Sequence, residues 1–187
     1  MLNPYTLTLF VHISAAFIWL GGGLVMEAIS LRLGPSPSNA ALKEFFALGS
    51  WLSPRLFAPA AILTLLSGIG VVSLSTKTHF HDFSVVYAIA AVIIAMLFGM
   101  LGIGPTIEKL SKAIDDPSVS VHAIDELKKR LRLVSHIDLA ILITVLFDVT
   151  TEPKWDSYPF MLLVALFLIG VVLYNALYTP HQQAVVH

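Results

Sequence analysis

Phe83-Ser-Val-Val-Tyr-Ala-Ile-Ala-Ala-Val-Ile-Ile-Ala-Met-Leu-Phe-Gly-Met-Leu-Gly-Ile-Gly104 runs from end to end without an Asp, Glu, Lys or Arg. As a helix rising about 1.5 Å per residue it is roughly 30 Å long, the thickness of a bilayer's hydrocarbon core. Four more apolar runs accompany it, at 5–26, 56–75, 133–149 and 158–178. The chain of 187 residues is 57% hydrophobic and only 12% charged, with a mean hydropathy of +0.83. A soluble domain carries about a quarter of its residues as charged groups, so an ordinary soluble globule is excluded. The expected fold is all-α: a polytopic membrane bundle of five transmembrane helices, 1–187 forming one transmembrane domain.

Charge orients that bundle. Arg32, Lys43 and Arg55 flank the first connection, and Lys109, Lys112, Lys128, Lys129, Arg130 and Arg132 crowd the third. Lys77 and Lys154 are all that remain for the second and fourth. This positive-inside asymmetry predicts an outside N-terminus and a cytoplasmic C-terminal tail over 179–187. The first run lacks a cationic start and a small-residue cleavage site, so it reads as a retained helix and not as a signal peptide. Residues 34–39 read as a turn and 40–51 as a short interfacial helix; a fourth helix starts near Ser118, after the Asp115-Asp116-Pro117 break.

Other classes fall away on chemistry. A net charge of −1 gives no basic field for nucleic acid. The absence of cysteine excludes disulfides, thiolate metal sites and covalent haem attachment. No phosphate-binding loop, nucleophile elbow or HExxH helix is present. What remains is the small set of polar residues within the apolar runs, where ionisable groups are costly and each is a functional candidate.

Depth along each run sorts them. His12, Ser67, Gly68, Tyr87 and Thr144 fall in the outer half. His12, Trp19 and Met26 recur at intervals of seven and share a helix face with Gly22 and Gly23. A flat cofactor on that face would use His12 as its ligand, Gly22 and Gly68 for room, and Trp19, Ser67 or Tyr87 as flanking groups. The alternative is a packed seam in which His12 bonds a neighbouring helix through Ser67 or Tyr87. Glu27, Arg55, His136 and Asp138 fall in the inner half, where Arg55 and Asp138 are expected to pair; His136 is too deep on the other side to share an iron with His12. A second metal candidate is His79-Phe-His81 followed by Asp82, which with His12 would take copper or zinc on the outer side. Ala91, Ala95 and Gly99 form a small-residue ridge, read first as an internal helix contact and second as a homodimer face.

The segment His12-Ile-Ser-Ala-Ala-Phe-Ile-Trp19-Leu-Gly21-Gly22, with Pro59, Ser67-Gly68, Gly102, Pro105 and Pro153-Lys154, resembles a family of predicted integral membrane proteins of unknown function. That family is related to the membrane domain of copper-resistance protein D. The resemblance implies a bundle in a bacterial inner membrane, linked to copper handling or haem-type redox chemistry, with His12, Trp19, Gly21 and Gly22 carried over. The five methionines form no ladder near His12, which departs from a copper-transport pattern.

Three functions follow as expectations. The first is a b-type haem protein ligated by His12, serving electron transfer with a redox partner or quinone; a haem-dependent oxidoreductase is the enzyme class open to it. The second is a copper-handling or permease-like protein using His12, His79 and His81. The third is an accessory membrane subunit without cofactor.

Overall fold

The computed structural model describes residues 3–33, 38–114, 116 and 118–181, and every regular element among them is helical. The helices are α1 (Pro4–Leu33), α2 (Asn39–Leu52), α3 (Ala58–Leu74), α4 (Phe83–Leu97), α5 (Gly104–Ala113), α6 (Val121–Thr151) and α7 (Tyr158–His181). Residues 34–37 of the turn expected at 34–39, Asp115 and Pro117 of the expected break, and residues 182–187 of the tail expected over 179–187 lie outside the described residues.

Four helical runs are long and apolar enough to cross a membrane: Pro4–Leu33, Asn39–Leu74, Phe83–Ala113 and Val121–Thr151. The fifth expected span is α7, with a shorter apolar stretch over Pro159–Asn175. Phe10, Phe17, Leu31, Leu101, Leu162 and Leu166 all point outward. So much outward apolar surface is what lipid covers, and a soluble monomer does not tolerate it.

Two boundaries differ from expectation. The stretch 40–51 is not a separate interfacial helix, because α2 continues into α3 through a π-helical turn at Ser53–Phe57. A second π-turn, Phe98–Ile103, joins α4 to α5. Pro54 lies in the first turn, Pro59 just after it and Pro105 just after the second. Proline lacks the amide that an α-helix requires, and the wider turn absorbs that loss without ending the helix. The apolar face of α2 is also covered by protein: Leu42 and Phe46 pack with Ile107 and Leu110 of α5, against Ile124, Leu127 and Leu131 of α6. This second core caps the end of the bundle that carries the lysines and arginines, called the basic end below.

The main core joins Trp19 of α1, Ala60 and Ala61 of α3, Ala91, Val92 and Ala95 of α4, and Ile141 and Leu142 of α6. Ala91 and Ala95 are thus spent on an internal contact, which small side chains permit by letting backbones approach. The ends of α6 are set by local chemistry. The Ser120 hydroxyl accepts the Ala123 amide at its start, and Glu152 in the left-handed region (φ 44°) ends it ahead of Pro153.

Candidate functional site

His12 lies in the seam between α1 and α3. Its Nδ1 is 2.9 Å from the Thr64 carbonyl oxygen and 3.4 Å from the Ser67 hydroxyl. A carbonyl only accepts, so the ring hydrogen sits on Nδ1. Thr64 and Ser67 turn their own hydroxyls onto the Ala60 and Leu63 carbonyls of α3. The glycines make room for the α1 side chains: a Cβ on Gly68 would stand 2.9 Å from His12 Cε1, and one on Gly70 would stand 2.9 Å from Thr8 Cγ2. Gly68 therefore does admit a ring, and the ring it admits is the imidazole.

The other residues of the expected cofactor face do not converge there. Trp19 is in the main core. Gly22 abuts Phe57, whose Cε1 would be 2.5 Å from a Cβ at that position. Tyr87 donates to the Thr144 hydroxyl at 2.6 Å and stacks among Phe83 and Phe160. His12, Ser67 and Gly68 form one contact, while Trp19, Gly22 and Tyr87 belong to three others. The donor chemistry for haem is partly present, since Nε2 is the ring atom with no partner among the described residues. The cradle is not, since the imidazole fills the Gly68 face.

At the end opposite the basic one, the His79 and His81 rings stack at 5.4 Å with 1° between their planes. Asp82 accepts the His79 amide at 2.7 Å and is 3.9 Å from His81 Nε2. The Trp155 indole donates to the His81 carbonyl, tying this loop to the one between α6 and α7. Among the described residues no group of three or more His, Asp or Glu side chains converges as a metal site, so His12, His79 and His81 do not form one ligand set.

The inner-half pairing is also different from expectation. Arg55 does not meet Asp138. The Arg55 guanidinium donates to the Trp51 carbonyl at 3.3 Å and lies over the Trp51 ring, one turn back on its own helical run. Asp138 Oδ1 is buried without a hydrogen-bond partner. The ionisable pair that does form is Glu27 of α1 with His136 of α6, Oε1 to Nε2 at 3.0 Å.

Asn175 of α7 completes it, with Oδ1 3.0 Å from His136 Nδ1. The Asn175 amide nitrogen donates to the Val171 carbonyl at 2.8 Å, which fixes the side chain so that its oxygen faces the imidazole. His136 Nδ1 is therefore a donor. Nε2 then faces a carboxyl oxygen, and that contact needs one more hydrogen, on the ring or on Glu27. One hydrogen therefore bridges α1 and α6 at this contact.

Two cavities have Glu27 of this pair in their walls. An open, apolar crevice of about 500 Å³ between α6 and α7 ends on Glu27, His136 and Tyr174. An internal cavity of about 260 Å³ runs from Trp19 and Leu142 in mid-bundle, past Asp138 and Ser135, to Lys128 and Arg132 at the basic end. Glu27 and Leu139 line both. Composition alone places Glu27 and His136 at the right depth, but the crevice between α6 and α7 has no signature in the sequence.

Compared with protein-family models, with curated proteins and with solved structures, the chain finds no match. The class is fixed by its own architecture: an all-helical protein whose long apolar helices suit a membrane.

Proposed function

We propose that this is an inner-membrane protein of a bacterium, its basic end in the cytoplasm, that binds a lipid-soluble molecule with a hydrogen-bonding head, a quinone. The head enters the α6–α7 crevice and exchanges a proton at the Glu27–His136 pair. One observation carries this reading: Glu27 lies on the wall shared by the lipid-side crevice and the cavity leading to Lys128 and Arg132. An apolar site with a few convergent polar groups is what such a ligand requires. Ser135, Asp138, Lys128 and Arg132 are polar groups in the mainly apolar wall of the second cavity, and the reading has the proton pass along them to the basic end.

The test is photolabelling with an azido-quinone in nanodiscs, with adducts mapped by mass spectrometry. Adducts within 139–143 and 166–174, with binding at least about tenfold weaker in His136→Leu, are expected from the loss of one charge-assisted contact. Adducts confined elsewhere, or binding indifferent to His136→Leu, reject it.

A b-type haem on His12 is the second reading, favoured by the free Nε2 opposite an anchored Nδ1, the arrangement that orients a ligating histidine. A Soret band lost in His12→Ala would support it. Purified protein without such a band after haem supplementation would reject it.

A further inference from the structure

Asp148, near the end of α6 opposite the basic one, is fully buried, and neither carboxylate oxygen has a hydrogen-bond partner among the described residues. No cationic side chain is within ion-pair reach of it there. An ionised carboxylate so placed has lost its hydration and gained nothing in exchange, and proteins do not hold bare charges in that way. The ordinary remedies are a partner, a metal ion or a proton. The first is absent, and no cluster of ligating carboxylates or histidines surrounds it for the second.

The groups around it are consistent with the third. On α6 itself Thr144, one turn away, is buried and accepts the Tyr87 hydroxyl of α4. Asp82 at the start of α4 is turned to the His79 amide. On α1, His12 bonds Thr64 and Ser67 through Nδ1. The described start of α7 presents Phe160 and Val164, which pack with Phe83. Asp148 is also only one turn from the end of α6, where the Glu152 amide bonds the Asp148 carbonyl, so water at that end is close by.

We infer that Asp148 is a proton-binding site that exchanges with the aqueous phase at the end of the bundle opposite the basic one. It is separate from the Glu27–His136 pair and does not depend on the function proposed for that pair. Binding a proton converts the buried carboxylate to a neutral acid, and release returns it to an anion, with no other bond made or broken.

Infrared difference spectroscopy on the full chain in lipid, with pH stepped between about 5 and 9 to bracket shifted carboxyls, reads this directly. The expected result is a protonated-carboxyl carbonyl band that titrates, shifts in heavy water, is lost in Asp148→Asn and persists in Asp138→Asn. Asp148→Glu should move the band without abolishing it, which keeps the test informative if the Asn variant folds poorly. A spectrum without such a band, a band untouched by both Asp148 substitutions, or one that does not titrate over that range would overturn the assignment. So would a band displaced by sodium at constant pH, which would make the site one for a metal cation.

Discussion

Glu27→Leu removes the carboxyl that meets His136 and leaves the imidazole Nε2 facing an apolar side chain. The size of the effect can be bounded from the geometry. His136 makes two contacts of 3.0 Å, to Glu27 and Asn175, and the His136 and Glu27 side chains are 19% and 24% exposed. A hydrogen bond to a charged group in a protein interior is worth about 1.5–3 kcal/mol, whereas polar contacts between membrane helices average about 0.6 and reach about 1.7. Partial exposure puts this pair near the upper membrane figure, so a coupling of about 1–2 kcal/mol is expected. The assay is a double-mutant cycle of Glu27→Leu and His136→Leu in bicelles, read by reversible unfolding. A coupling below about 0.3 kcal/mol, the usual limit of additivity for independent sites, would refute the pairing.

Two further substitutions test the packing. Gly68→Ala puts a methyl 2.9 Å from His12 Cε1 and should cost about 1–3 kcal/mol by overpacking, with most of it recovered in the Gly68→Ala, His12→Ala double variant; thermal unfolding in detergent reads both. Glu152→Gly relieves a left-handed residue at the end of α6 (φ 44°) and should raise stability by up to about 1 kcal/mol, the relief being offset in part by the flexibility of glycine in the unfolded chain.

The extent to which the sequence announces this molecule differs from residue to residue. Length and apolarity reveal where chain crosses lipid, because a span has no alternative composition. They do not reveal that α2 and α3 are one helical run. Pro54 lacks the amide that an α-helix requires, and only the i+5 bonding of the π-turn that holds it keeps the helix going. The same distinction governs the polar residues. Depth along a helix is legible, and it brings His12 level with Ser67 and Tyr87 level with Thr144, both of which meet. Rotation about the helix axis is not legible. Arg55 and Glu27 share a depth class with His136 and Asp138, yet Arg55 turns back on Trp51 and Glu27 takes His136. Asp148, near the end of an apolar run, reads as an edge residue; its complete burial comes from helices packed around it.

That packing explains why the protonatable groups gather on α6. It contacts α1, α4, α5, α7 and the Phe98–Ile103 turn, which sets it at the centre of the described helices. A carboxyl on a peripheral helix would face hydrocarbon on at least one side, whereas on α6 it can face a cavity, as Asp138 does, or other helices, as Asp148 does. The described part of α7 packs on α6 and carries no charged residue, and its one amide, Asn175, is turned inward to His136. α1 keeps its carboxyl to Glu27, below the main core and on the wall of both cavities. The bundle thus concentrates its costly groups on the central helix, where each has a protein neighbour or a polar cavity beside it.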